Sequence, residues 1–400
     1  MKPLAGNSMT LLGERFQTLR VALVHHWLVR MRGGEKVLAA LCRLFPQADI
    51  FTLVYRPEDI CETITRHRVT TSWIQKLPLA ARHYGQYLPL LPLAMEQFDL
   101  SDYDLAISSD ASVAKGVLTR PETCHICYCH SPLRYAWSAY HTYLEAVSSR
   151  WKRCLIPFFL NYLRLWDVSA ANRVDYFVAN SRNVANRIWK YYRREASVVY
   201  PPVEIFGLPV STQSEDYYLA VGQWVPYKRF DLAIEAFNEL RRPLWIVGEG
   251  PEGSRLKRRA QSHIRFLSRV SDSQLRTMLS QCRALVFPGE EDFGMIIPET
   301  HACGRPAIAL ARGGALETVI PGVNGVLFRE ASATALKAAV LHFESIESQL
   351  NPQEIRVSAE RFKEDLFFEK MAAFVAEKLA EHQQRFSLES QKPKPSALVR

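Results

Sequence analysis

Two glutamates, a lysine and a histidine stand where their neighbours could make them a reaction centre. Glu291 and Glu299 are separated by seven residues, with Phe293-Gly294 between them. They follow an apolar run, Ala284–Pro288, that reads as a buried parallel strand. Pro298 fits the first turn of a short helix, and Gly304 suits its left-handed stop. The amides from Gly294 through Met295 and Ile296 to Ile297 are then expected to be unpaired at the helix start. Unpaired amides at the positive end of a helix dipole attract phosphate. Carboxylates beside such a site would not grip phosphate; they would grip hydroxyls. A phosphate cradle bracketed by hydroxyl acceptors fits a nucleotide sugar.

The remaining candidates sit at similar junctions. Lys228 and Arg229 lie between Gly222-Gln223 and a segment of helical apolar spacing, Phe230–Leu240, so Lys228 can add charge to the phosphate site. His130 ends the apolar run that starts at Cys124, and in open α/β sheets ligands bind at the carboxyl ends of strands. Gly33-Gly34 separates the apolar run Val21–Trp27 from the helical pattern Glu35–Phe45, and such glycines let backbone approach a ligand. Cys124, Cys127 and Cys129 with His125 and His130 invite a zinc reading. On a strand, however, Cys127 and Cys129 share one face and Cys124 the other, and no second ligand pair is evident at a distance. Asp102-Tyr103-Asp104 precedes an apolar run instead of following one and reads as a turn.

These motifs together resemble glycosyltransferase family 4, whose members are retaining enzymes of the GT-B fold. Arg32-Gly33-Gly34-Glu35-Lys36, His130-Ser131-Pro132 with Arg134-Tyr135, Val225-Pro226-Tyr227-Lys228-Arg229 and Gly313-Gly314 are most similar to its bacterial O-antigen mannosyltransferases. The resemblance implies an α/β fold of two Rossmann-like β/α/β domains facing across a cleft. It implies catalytic roles for His130, Lys228 and Glu291. Donor contacts are implied for Gly33, Gly34, Gln223, Arg229, Arg269, Val270, Phe293, Gly294, Met295, Ile296 and Glu299, with the backbone near Arg269-Val270 reading the base. The donor would be a nucleotide-diphosphate sugar, with GDP-mannose favoured by the subgroup alone. The acceptor would be a lipid-linked or polysaccharide glycan. No cofactor, metal or nucleic-acid partner is expected. Many family members place an arginine directly after the glycine matched to Gly222; Gln223 stands there instead and brings no charge.

The elements that must position these groups follow from length and pattern. At 400 residues the chain suits two domains, and 48% apolar with 23% charged residues is ordinary for a globular protein. The expected division is a flexible lead (1–20), a first domain (21–205), a linker (206–215) and a second domain (216–352). Helices crossing back (353–382) and a disordered tail (383–400) complete it. No run of about 18 apolar residues and no convincing signal peptide is present. The eight cysteines are scattered, which suits a reduced, cytoplasmic setting, on the inner face of the membrane if the chain binds one. The net charge of +9 lies wholly in residues 1–200, which hold 25 basic and 16 acidic residues against 25 and 25 in the second half. That surplus serves solubility or attraction to an anionic surface. The aromatic and basic segments 73–93 and 150–166 can lie on such a surface or pack into the first domain, and packing is the favoured reading.

Overall fold

A computed structural model describes residues 16–145, 147, 149–205, 210, 214–268 and 270–390. Two parallel sheets account for its layers. The first contains β1 (Val21–His25), β2 (Asp49–Thr52), β3 (Val69–Thr71), β4 (Leu105–Asp110), β5 (Cys124–Cys129), β6 (Tyr176–Ala179) and β7 (Ala196–Val198), in the order β3-β2-β1-β4-β5-β6-β7. The second contains β8 (Tyr218–Val221), β9 (Leu244–Val247), β10 (Ile264–Leu267), β11 (Leu285–Phe287), β12 (Ala307–Leu310) and β13 (Gly325–Phe328), in the order β10-β9-β8-β11-β12-β13. β1, β4 and β5 are buried along their whole length, which is why they read as continuous apolar runs without alternation. The strand order reverses between β1 and β4, and again between β8 and β11. Crevices open at the carboxyl ends of such switch points. His25, Ser109 and His130 issue from the first; Gly222 and Gly289 flank the second.

Helices cover the sheets where apolar spacing predicts them. In α1 (Gly33–Leu44), Val37, Leu38, Leu41 and Leu44 are buried on the first sheet. In α2 (Arg150–Asn172), Leu160, Leu163, Trp166 and Ala170 pack on Ile74, Ala80, Leu91 and Met95 from the proline-punctuated segment, so both surface candidates lend one face to the core. Ser181 caps α3 (Arg182–Tyr192) by accepting the Val184 amide at 3.1 Å. α4 (Phe230–Leu240) and α5 (Asp272–Gln281) flank the second sheet. After β11 comes the short α6 (Ile296–Ala302), and after β13 α7 (Ala333–Ile346). α8 (Pro352–Ala359) packs on α6, and α9 (Glu364–Ser390) returns to the first domain.

Several expected boundaries move. Residues 16–20 are not a free lead: Phe16 is buried against Phe45, with ring centroids 5.2 Å apart, and its carbonyl accepts Gln47 Nε2 at 2.6 Å. Only α9 crosses back. α8 stays with the second domain because Ala359 and Phe362 share an apolar cluster with Val203 and Phe293. The tail expected from 383 is helical through Ser390, since Gln383–Ser390 contains no helix breaker before Pro393 and Phe386 packs on His382 at 4.8 Å. Residues 1–15, most of the linker and 391–400 lie outside the described residues. Asp102 and Asp104 sit in a turn that pairs with Arg20 at 3.7 and 3.6 Å.

One buried ionic cluster holds the loop after β4. Lys115 Nζ lies 3.1 Å from Asp110 and 2.5 Å from Asp167, and all three side chains are fully buried. Asp110 also accepts the Ser112 and Ala114 amides, and Asp167 accepts Trp137 Nε1 and Tyr192 OH. Burial works against the Lys115 ammonium, but the two carboxylates outweigh it and hold it well above its ordinary range. Lys115→Met would leave two buried aspartates without a cation. It should cost about 3–5 kcal/mol of stability in urea unfolding. The loss should shrink as pH falls, because protonating an aspartate relieves the uncompensated charge; a loss below about 1 kcal/mol would contradict this account.

Candidate active site

The second domain places Lys228 by backbone first. Val225 and Pro226 start a single 3-10 turn, Pro226–Lys228, closed by Lys228 N–H donating to Val225 O at 3.1 Å. A Cβ on Gly222 would meet Lys228 Nζ at 3.4 Å, and one on Gly289 would meet Lys228 Cα at 2.7 Å. Both glycines therefore let the turn settle between β8 and the loop after β11. Lys228 Nζ reaches the Glu291 carboxylate, with both side chains mostly buried. Burial, then the Arg134 guanidinium, pushes the Lys228 ammonium down to about 7, and Asp292 opposes this. Gln223 is exposed. Arg229 turns away into a pair with Asp231 at 3.2 Å.

The loop Glu290–Asp292 is gripped from the first domain. Arg187 binds Glu290 at 2.8 Å and also Asp292, Arg134 Nη2 donates to Glu290 O at 3.1 Å, and Ser181 Oγ donates to Asp292 O at 2.7 Å. The Arg134 guanidinium lies over the Tyr227 ring, 4.8 Å from its centroid. Glu299 binds Lys36 of the first domain at 2.6 Å. Glu317 accepts the Arg182 and Asn183 amides at 2.9 and 3.0 Å, at the start of α3.

The phosphate cradle is narrower than its sequence suggests. Gly294 takes φ +80°, and Ile297 N–H donates to Gly294 O at 2.9 Å, so the Ile297 amide is spent internally. Among the described residues, the amides of Gly294, Met295 and Ile296 take no such partner. Phe293 does not face a ligand with its side chain: its ring is buried between Tyr200 and Phe362, at 5.7 and 5.3 Å. Met295 does reach the cleft, since a Cβ on Gly33 would lie 3.0 Å from its sulfur. Val270 lies beyond β10, partly buried, and Arg269 is outside the described residues.

Opposite this site, the first domain presents His130. Its Nε2 lies 2.8 Å from Ser109 Oγ, which is also 3.1 Å from His25 Nδ1, and His25 Nε2 stands 3.6 Å from Glu35. Burial, then His25, lowers His130 to about 4, so its imidazole is neutral near pH 7. Gly34 gives the ring room, since a Cβ there would lie 3.7 Å from His130 Nε2. The structure thus gathers Gly33, Gly34, His130, Lys228, Glu291, Gly294, Met295, Ile296 and Glu299 around one cleft. Arg134 and Arg187 were not singled out as site residues. The signal for them was the acid triplet Glu290-Glu291-Asp292, which in a partly buried loop must find cations.

Comparison with known proteins agrees with this layout. Residues 31–205 match the family described as Glycosyltransferase Family 4, and residues 203–359 match Glycosyl transferases group 1. The two matches adjoin at the domain boundary and together span most of the chain, and they support a GT-B glycosyltransferase of the family 4 type. An uncharacterized glycosyltransferase of Methanocaldococcus jannaschii is 29% identical over 194 residues, covering 47% of this chain and 53% of its own length. The O-antigen chain mannosyltransferase C of Escherichia coli is 30% identical over 163 residues, covering 35% of this chain and 43% of its own. These matches thus span about half or less of either relative. Among solved structures, Anabaena HepE in complex with UDP and glucose has a TM-score of 0.66 at 15% identity, covering 90% of this chain and 99% of that one. The lipopolysaccharide outer core galactosyltransferase WaaB has a TM-score of 0.60 at 17% identity, covering 90% and 100%.

The geometry ranks the cations. Lys228→Ala should lower turnover of a nucleotide-sugar donor by at least about a hundredfold with the fold intact, the usual cost of one preorganised charge-stabilising donor. Gln223→Ala should lose much less, and Gln223→Arg should be tolerated. Only the ammonium form of Lys228 attracts a diphosphate, so wild-type affinity for a nucleoside diphosphate should weaken above about pH 7. The weakening should approach tenfold per pH unit and flatten in Lys228→Ala. Equal damage from Gln223→Ala would show the glutamine to be a specific ligand instead.

Proposed function

We propose that the chain is a retaining glycosyltransferase that moves a sugar from a nucleotide-diphosphate donor to a lipid-linked or polysaccharide acceptor in surface-glycan synthesis. The observation that carries this is Lys228 held on Glu291 at the second switch point, facing neutral His130 across the cleft. Breaking the sugar–diphosphate bond builds negative charge on the leaving group and positive charge on the ring. Lys228 and the Gly294–Ile296 amides stabilise the first, with Arg134 close enough to add to their field. Once phosphate takes Lys228, Glu291 is free to bind sugar hydroxyls, and Glu299 can exchange Lys36 for a ribose. A neutral imidazole at His130 can hydrogen-bond the sugar without repelling a cationic ring, and the Ser109–His25 chain holds its orientation. Mannose, from GDP-mannose, is favoured by the O-antigen mannosyltransferase relative.

The test is product analysis with a donor panel, with and without lipid extract. Transfer to a lipid fraction supports the reading. Donor isomerisation without transfer would indicate a same-fold epimerase, and binding without turnover a non-catalytic sugar-nucleotide-binding subunit. Transfer should proceed in EDTA. Complete loss restored by manganese or magnesium would overturn the assignment of leaving-group charge to Lys228 and the amides.

The acceptor side favours a membrane surface. On α2, Trp151, Leu155, Phe158, Tyr162 and Leu165 are exposed at alternating spacings of four and three, one continuous stripe opposite the core face; Phe158 is 77% exposed. Leu79, Leu90 and Leu93 are exposed on the segment packed beside it. Neither 63–95 nor 146–166 contains an acidic residue, while Lys76, Arg82, Arg150, Lys152, Arg153 and Arg164 do lie there. An apolar stripe in acid-free, basic surroundings suits an anionic bilayer. No described helix is long and apolar enough to cross one. The full chain should sediment with anionic vesicles and less so with salt, since exposed charges are screened beyond about 8 Å at physiological ionic strength. Trp151→Ser with Phe158→Ser should abolish sedimentation; equal binding to neutral vesicles at low salt would refute the electrostatic part.

A further inference from the structure

The cysteine run lacks a second ligand pair in sequence, but the fold supplies one. Cys124 opens β5, Asp175 precedes β6, and His382 lies on α9; one ligand atom from each falls within 4.8 Å of the other two. Cys124 is fully buried and His382 only 3% exposed. The imidazole is oriented by its far nitrogen. His382 Nε2 lies 3.0 Å from Pro121 O, an acceptor, so Nε2 carries the proton. That leaves the Nδ1 lone pair aimed inward, 3.9 Å from Asp175 Oδ2, buried and without a hydrogen-bond partner. Asp175 is fixed in turn, accepting the His125 amide at 2.8 Å while its own amide donates to His125 O at 3.0 Å. Two lone-pair donors and a thiol thus converge, with no proton between the imidazole nitrogen and the carboxylate. A histidine tied by its outer N–H to a backbone carbonyl is how proteins present imidazole to a metal.

We propose that Cys124, Asp175 and His382 form a zinc site that stitches α9 to the first domain. Tetrahedral zinc, at about 2.3 Å from sulfur and 2.0–2.2 Å from nitrogen or oxygen, needs ligand atoms roughly 3.3–3.7 Å apart. The cluster has to contract by only about 1 Å to reach this. A thiolate and a carboxylate cancel the charge of a divalent ion. The Cys124 thiol proton is released to solvent as the zinc–sulfur bond forms, and no redox change is involved. The site lies at the opposite end of β5 from His130, about 20 Å away at strand spacing, so it is independent of the cleft. It accounts for a feature of the fold: α9 arrives from the second domain, and a metal held by β5, the β6 lead-in and α9 fixes its last turns.

The experiment uses the full chain, stripped with chelator and then titrated with zinc or cobalt(II). One equivalent should bind, cobalt should give thiolate-to-metal charge-transfer absorption, and zinc should raise the thermal midpoint by a few degrees. Cys124→Ala should abolish the absorption. Both it and His382→Gln, which keeps a donor for Pro121 O, should weaken binding by more than the roughly 10–100-fold that outer-sphere changes cost. Neither variant's midpoint should respond to zinc. Absence of stoichiometric uptake would overturn the proposal. Unchanged affinity in the variants would place the metal elsewhere, exposed Cys154 included, and uptake without a rise in midpoint would refute the stitching role.

Discussion

Everything in the cleft depends on where three consecutive acids find their cations. Glu290, Glu291 and Asp292 sit in one partly buried loop, and like charges so close would repel strongly if left alone. Glu290 is held by Arg187, Glu291 by Lys228, and Asp292 by Arg187 and Arg134. Two of those three cations belong to the first domain, so the loop keeps its shape only while the domains are together. At an effective dielectric near 20, a pair about 4 Å apart interacts by roughly 4 kcal/mol before desolvation, enough to hold a loop and little enough to exchange for a ligand. Arg30 with Glu249 and Lys36 with Glu299 extend the same complementarity along the cleft. Part of the positive surplus of the first domain is therefore met by acids of the second.

A diphosphate entering this lattice competes with carboxylates for the same cations. It carries more charge than the carboxylate it displaces and raises the ammonium that binds it, so Lys228 is the natural point of exchange. Its contact with Glu291 spans no domain boundary, so breaking it costs no domain contact. Arg134 differs: it is bound to the loop backbone and stacked on Tyr227, and it acts through its field while its own contacts stay in place. One mobile cation and one fixed one fit a site that must accept a charged donor and also stabilise a charged leaving group.

The sheets were legible in the sequence because parallel strands buried on both faces are uninterrupted apolar runs, and β5 and β8 run directly into His130 and Gly222. The same positional logic singles out Lys228, Glu291 and His130, which the fold brings to one cleft. It failed for Phe293, whose place between two glutamates and a glycine suggests a ligand contact. Its ring answers instead to Tyr200 and Phe362, residues brought near only by the crossing of the chain. Arg187 and Glu317 were out of reach for the same reason, since their partners lie across the cleft and depend on how two domains are oriented. Cys124 was read as lacking partners because Asp175 and His382 are remote in sequence. For 383–390 composition misleads: these polar residues include good helix formers, and a helix already docked by Phe367, Met371 and Val375 extends through them at little cost.

The crossing also determines how the cleft can open. Only two chain segments join the domains, one leaving the first domain after Tyr200 and one returning before Glu364. They run side by side, with Val203 bridged to Lys363 and Val203 N–H donating to Phe362 O at 2.9 Å. Paired strands resist sliding but tolerate rotation about their common direction, so they act as one hinge. The return segment is pinned immediately afterwards by Arg43 on Glu364 and by Phe367 and Phe368 in the core of the first domain. On the other side Phe362 is locked against Phe293, directly before the phosphate amides. A rotation at Val203 and Lys363 therefore leaves both cores intact. Its strain falls on the contacts that cross the cleft: Arg134, Arg187, Lys36 and Arg30 with their acids. Such a rotation would act on the same contacts that hold the Glu290–Asp292 loop.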